Sequence, residues 1–131
     1  MKELLIIKVI IKKILEVEGT GCTARMISFG GECHSDIFTG SILEGGIDAQ
    51  QIDRDGNGMA SARYMIEGTD CSGKKCRLYI ENNGEVIQGK IQKTYPKIIT
   101  DSENLKWLEH VSLSGTITGQ EGFVLIHIYE E

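Results

Sequence analysis

Turn signals recur along this chain at short intervals, and they leave no room for long helices. Gly30-Gly31, Gly45-Gly46, Asp55-Gly56-Asn57-Gly58, Ser72-Gly73-Lys74-Lys75, Asn82-Asn83-Gly84 and Gly119-Gln120-Glu121-Gly122 divide it into short apolar segments. Sixteen glycines against one proline suit tight turns, because glycine reaches positive φ at little steric cost. The segments between them read as strands: Arg25 to Phe29, Ile37 to Leu43, Met59 to Glu67, Cys76 to Glu81, Val86 to Lys93, Val111 to Thr118 and Phe123 to Tyr129. Regular spacing of this kind predicts an all-β fold, an antiparallel β-barrel closed or nearly so. One short helix is expected near residues 101–109, where Thr100 and Glu103 have capping-box spacing and Leu105 and Leu108 share a face, with Trp107 beside them.

Residues 3–17 fit two periods. Alternation places Leu5, Ile7, Val9, Ile11, Leu15 and Val17 on one face, whereas a 3.6-residue period gathers Lys8, Lys12, Lys13 and Glu16. Composition decides for a strand. Seven of these fifteen residues are Ile or Val, whose branched Cβ atoms fit a pleated surface better than a helix. The same lysines interrupt the apolar run, so it is neither a targeting segment nor a membrane span. A cytoplasmic location is expected.

A chain of 131 residues is expected to form one domain over residues 1–131, with enough length to bury a core. Its net charge of −5, with mixed signs along the chain, argues against a nucleic-acid partner. Cys22, Cys33, Cys71 and Cys76 lack metal-type or redox-type C-x-x-C spacing, so free thiols are expected in a reducing compartment. Cys71 and Cys76 bracket a turn and could face each other, but two thiols packed beside that turn is the reading preferred. Asp53-Arg54-Asp55-Gly56-Asn57-Gly58 fits the first half of a calcium loop. Tyr64 stands where the bidentate Glu should be and no helical pattern flanks it, so a hairpin turn is expected. His34, His110 and His127 are scattered, with His127 expected to be hydrogen-bonded inside the protein. No phosphate loop, nucleophile elbow or dinucleotide fingerprint occurs, and neither a metal nor a cofactor is implied.

Strand alternation groups the polar candidates. Arg63 and Met65 face one way and Ala62, Tyr64 and Ile66 the other; Tyr79, Glu81 and Asn83 oppose Leu78 and Ile80 in the same manner. Periodicity leaves open which face lines the barrel. If the polar set is inward, Arg63, Tyr79 and Glu81 place a cation, a phenol and a carboxylate around a pocket, as binding sites do. The expectation carried forward is that Arg63 and Tyr79 share a cavity with Asp48 near its mouth.

In order and spacing, Phe38-Thr39-Gly40-Ser41-Ile42-Leu43-Glu44-Gly45-Gly46-Ile47-Asp48, Asp55-Gly56, Ala62-Arg63-Tyr64, Tyr79-Ile80-Glu81-Asn82-Asn83-Gly84, Pro96-Lys97-Ile98 and Trp107-Leu108 resemble the domain of unknown function 3237 family of bacteria and fungi. The resemblance runs from about residue 4 to residue 130. It implies an antiparallel barrel of calycin-like or allene-oxide-cyclase-like type, often built around a hydrophobic ligand, and no established activity. It matches Asp48, Arg63, Tyr79 and Asn83 to recurrent polar positions, with Glu81 where the pattern is loose. The family's aromatic after the Gly-Gly-x-Asp aspartate is Ala49 here, which implies a differently filled pocket mouth. Three functions follow as expectations. The first is a barrel binding a small hydrophobic or anionic molecule through Asp48, Arg63, Tyr79, Glu81 and Asn83. The second is an enzyme on that barrel, an isomerase or hydrolase type with Asp48 or Glu81 moving a proton. The third is a structural module that self-associates into a homo-oligomer.

Overall fold

The β-branched N-terminal run forms a strand, β1 (Lys2–Glu18), in a computed structural model that describes residues 1–131. Nine more strands follow: β2 (Cys22–His34), β3 (Phe38–Ile42), β4 (Ile47–Asp53), β5 (Gly58–Asp70), β6 (Lys75–Ile87), β7 (Lys90–Ile91), β8 (Lys97–Thr100), β9 (Leu113–Gln120) and β10 (Phe123–Glu130). All pairings are antiparallel. The sheet runs β9–β10–β1–β2, then through β3 and β4 side by side to β5, then to β6 with β7 and β8 on its far edge. Two hydrogen bonds close the circle. The Thr94 amide donates to the Gly115 carbonyl at 2.9 Å, and the Gly115 amide returns to the Thr94 carbonyl at 2.8 Å. No helix is long and apolar enough to cross a membrane.

Two glycine-rich stretches taken for turns lie inside strands. At Gly30-Gly31 β2 changes neighbour, leaving β4 after Ser28 and taking β3 from Glu32. Gly31 has φ +142°, and a Cβ there would stand 1.9 Å from the Lys8 carbonyl oxygen, so only glycine lets the two backbones approach. Asn82-Asn83-Gly84 likewise runs through β6. A Cβ on Gly84 would meet the Thr94 methyl at 2.7 Å, and one on Gly115 would meet the Thr94 hydroxyl at 2.5 Å. Thr94 therefore sits in a slot between two glycines. The Asp53–Gly58 segment is the β4–β5 turn, its Asp53 Oδ1 accepting from the Asp55 and Asn57 amides. The cysteines are free, with Cys71 exposed and Cys76 buried.

The short helix is a 3₁₀ helix, Glu103–Glu109, and it buries Leu105 and Leu108. Its cap differs from the capping box. Ser102 holds the N-cap without a side-chain bond. The Thr100 hydroxyl is already committed to the Arg77 carbonyl, since Thr100 belongs to β8. Asp70 supplies the tie instead. Its Oδ1 accepts from Ser72 N, Ser72 Oγ and Lys74 N in the β5–β6 turn, and its Oδ2 accepts from Ser102 Oγ and Asn104 Nδ2 at the helix start. These donors hold the Asp70 carboxyl well below the usual carboxylate range.

One end of the barrel is full. Leu5, Ile7, Ile66, Leu78, Ile98, Leu105, Leu108 and Ile128 are almost entirely buried in a single core there. Toward the other end the inward residues of β5 shrink from Ile66 and Tyr64 to Ala62 and Ala60, and those of β6 pass from Leu78 and Ile80 to Asn82 and Gly84. Size alone leaves that end hollow.

Replacing Gly115 by Val should force Thr94 out of its slot and open the seam. We expect a loss of about 1–3 kcal/mol, the cost of overpacking a filled position, read as a lower urea midpoint.

Candidate functional site

The hollow end encloses a cavity of about 430 Å³, with 12 hydrophobic residues among the 18 that line it. Its floor is the inward row containing Phe29 and Tyr64, whose rings meet edge to face at 5.2 Å, with Ile80 beside Tyr64 in the ladder. The next row up carries the polar groups. Asp48 pairs with Ala62, and Ala62 pairs with Asn82, so the carboxyl and the amide stand at one level, two strands apart, with only a methyl between them. Two strand spacings are about 10 Å. Thr94 lines the same cavity from the seam.

Each of these three groups keeps one buried polar atom without a protein partner: Asp48 Oδ1, Asn82 Oδ1 and Thr94 Oγ1. The other Asp48 oxygen accepts a 2.9 Å bond from Gln50 Nε2, one row nearer the mouth. Burial pushes the Asp48 carboxyl up from its ordinary value, and the Gln50 bond offsets part of that rise. A fourth unpartnered atom, the Tyr64 hydroxyl, belongs to the floor itself and does not line the cavity. At the rim Arg25 lies opposite Glu16 in the β1–β2 ladder and binds its carboxylate at 3.0 Å.

The structure separates the expected site residues. Asp48 lines the cavity, whereas Arg63, Tyr79, Glu81 and Asn83 face the outside of β5 and β6. On that outer face Glu81 accepts from Tyr79 Oη at 3.4 Å and Asn83 Nδ2 at 3.1 Å, and lies 3.9 Å from the Arg63 guanidinium. The Arg63 side chain is 59% exposed. The expectation that Arg63 and Tyr79 share a cavity with Asp48 is therefore corrected. The alternation was right, but its apolar partner set, Tyr64, Ile66, Leu78 and Ile80, is what the barrel buries, because burying those four side chains stabilises the fold while burying an arginine costs. Ala49, one residue past Asp48, points outward and does not shape the mouth. His127 is also on the outer face, bonded to Glu3 at 2.8 Å and not inside.

Asn82 and Thr94 escaped the sequence analysis. Asn82 lay within an apparent Asn-Asn-Gly turn. Its inward parity with Leu78 and Ile80 is the signal that finds it once the strand is known to continue. Thr94 carries no such signal, since it lies outside any strand.

A family model described as "Protein of unknown function (DUF3237)" matches residues 5–130. No curated protein matches the chain. Among solved structures, a protein of unknown function from Clostridium acetobutylicum is 25% identical with a TM-score of 0.83, covering 98% of this chain and 96% of that one. A beta-barrel like protein from Acinetobacter baumannii is 21% identical with a TM-score of 0.81, covering 98% and 93%. A protein described as an enzyme, from Penicillium herquei, is 17% identical with a TM-score of 0.68, covering 98% and 96%.

Two measurements test this placement. Asp48 binds its proton more tightly folded than unfolded, so its contribution to stability falls as pH rises from about 4 toward neutrality. Asp48→Asn should thus gain stability over the wild type at neutral pH and lose that advantage near pH 4, as compared by urea unfolding at both. Arg63→Met should shift stability by no more than about 0.5 kcal/mol, because its ion pair is exposed.

Proposed function

The chain belongs to the family described as "Protein of unknown function (DUF3237)", and we propose that it binds an uncharged, largely apolar small molecule in the barrel cavity. One observation carries this reading. Asp48, Asn82 and Thr94 line a cavity whose walls are mostly apolar, and each carries one buried polar atom without a protein partner. An unpartnered buried polar group costs about 1–3 kcal/mol, and a bound molecule that supplies its partner recovers that cost. The volume lies in the range of small-molecule sites, about 300–1,000 Å³.

The lining sets the ligand's character. The Asn82 oxygen accepts, an ionised Asp48 accepts, and the Thr94 hydroxyl does either, so the molecule offers at least one hydrogen-bond donor at its buried end. Its remaining surface is hydrocarbon against Ile27, Phe29, Ile117 and Ile126. An anionic ligand is disfavoured. Arg63 lies outside the barrel, and Arg25 is already neutralised by Glu16.

A second reading, catalysis by proton transfer, is favoured by Asp48 itself. A carboxyl whose pKa burial raises, with one oxygen unpartnered, is the kind of group a general acid or base uses. Glu81 drops out of that role because it faces the outer surface. One protein of the same fold, from Penicillium herquei, is described as an enzyme.

A thermal-shift screen of small apolar alcohols, phenols and amides should give compounds that stabilise the wild type. Asn82→Leu should weaken them by about 3- to 10-fold, the value of one hydrogen bond. Ala62→Phe keeps all three polar groups and fills the space between them, so it should abolish binding. Equal binding to Ala62→Phe would place the ligand elsewhere and end this reading. If a bound compound is turned over, Asp48→Asn should stop turnover while retaining binding.

A further inference from the structure

We propose that residues 88–93 form a strap in the cavity wall that peels from β6 to admit a ligand, hinged at Thr94 and latched at its tip by Asn57. The proposal rests on the reading of the cavity as a binding site and concerns how that site opens. Val86, Gly89, Ile91 and Thr94 line the cavity, so the strap is the stretch of wall between the end of β6 and the seam. Ile52, Gly58, Val86 and Ile91 follow one another across the ladders, which puts the strap two rows nearer the mouth than Asp48.

Little holds this stretch. β7 meets β6 over only two pairs, Val86 with Ile91 and Ile87 with Lys90, and the Gln92 amide adds one bond to the Glu85 carbonyl. The neighbouring β5–β6 ladder runs from Gly58 to Thr69. On its other flank the strap has no backbone bond to β9 beyond the Thr94–Gly115 seam, and β9 has no strand on that side. Ile91 is half-buried, whereas Gln88, Gly89, Lys90, Gln92 and Lys93 are exposed. Segments with few apolar contacts and solvent-facing backbone bonds open locally at low cost. Thr94, by contrast, is buried and bonded both ways to Gly115, so the base of the strap stays fixed.

The tip is fastened to a different turn. The Gly89 amide donates to the Gly56 carbonyl at 2.8 Å, and the Gln88 amide donates to Asn57 Oδ1 at 2.9 Å. Gln88 is the one non-glycine residue with positive φ, at +50°. A left-handed residue with a side chain is strained and persists only where its surroundings hold it. Here the holding group is an exposed side chain on the β4–β5 turn, outside the cavity lining. Release of Asn57 lets Gln88 relax, so the strain favours opening once the latch is undone.

Two measurements on the whole chain test this. Neither uses a ligand, so each decides the strap's behaviour whatever the thermal-shift screen gives. In amide hydrogen exchange, Gly89 and Gln92 should exchange together, at least about tenfold faster than the β5–β6 ladder. Asn57→Ala removes the acceptor of Gln88 alone. Gly89 and Gln92 keep their own acceptors, yet both should exchange about fivefold faster, the value of one hydrogen bond, while Thr94 and Gly115 stay unchanged. Asn57→Asp keeps the acceptor oxygen and should keep the wild-type rates. For access, Ala62→Cys puts a thiol on the cavity wall, in a protein whose exposed cysteines are removed by Cys22→Ser/Cys71→Ser. Its labelling by a neutral aromatic disulfide, dithiodipyridine, should rise about fivefold with Asn57→Ala and fall back with Asn57→Asp. Ala60→Cys, also on the lining, serves should the first thiol variant fail to fold in a thermal melt. Strap amides as slow as the β5–β6 ladder, or unmoved by Asn57→Ala, would overturn the proposal. So would faster strap exchange without faster labelling, since the strap would then move without being the way in.

Discussion

Two hydrogen bonds between Thr94 and Gly115 turn a ten-stranded sheet into a closed wall, and everything functional in this molecule depends on there being an inside. The seam is narrow. It joins β9 to a segment that is in no strand of its own, and it is possible because Gly84 and Gly115 leave room for one threonine. That crowding also fixes where the Thr94 hydroxyl lies. The residue that seals the barrel is therefore one of the three cavity-lining residues that carry an unpartnered buried polar atom. Structure and candidate function meet in one side chain.

The two ends of the barrel divide stability from binding. At the full end the inward rows carry large branched and aromatic side chains, and Asp70 links the β5–β6 turn to the start of the 3₁₀ helix through both oxygens. At the hollow end alanine and glycine replace them, so little apolar burial opposes the desolvation of Asp48, Asn82 and Thr94. Such groups would be poor choices for a core. They are tolerable because the row beneath, Phe29, Tyr64 and Ile80, is well buried and supports them.

Much of the fold was legible in the sequence because side-chain parity is a local property. The N-terminal strand, the β9–β10 hairpin, the β4–β5 turn, the short helix with Leu105 and Leu108 inward, and the grouping of Arg63 apart from Tyr64 all follow from neighbouring residues. What failed was whatever needed two distant segments at once. Parity says that Arg63 and Ile66 face oppositely, but only the assembled barrel says which is inside. Gly30-Gly31 and Gly84 look like turns because glycine permits turns; here it permits backbone or side-chain approach from Lys8 and Thr94, residues remote in sequence. The β8 strand was missed for a similar reason. Four residues after a proline carry little pattern, and their strand character comes from pairing with β6. Asp48 was found, but through its place after Gly45-Gly46 and not from any sign that it would be buried.

The unpaired half of β1 and the cavity mouth share the same end of the barrel, and this is a consequence of strand length. β10 starts at Phe123 because its hairpin with β9 turns at Glu121-Gly122, where Gly122 adopts φ +86°. β1 continues nine residues past that point with only β2 as support. A barrel whose strands all ended together would have a mouth rimmed by turns. In this one the rim on the β1 side is a free strand, and Ile11 both lines the cavity and belongs to the unpaired stretch. Local opening is easiest where backbone bonds face solvent and few apolar contacts are made, and both conditions hold along this lip.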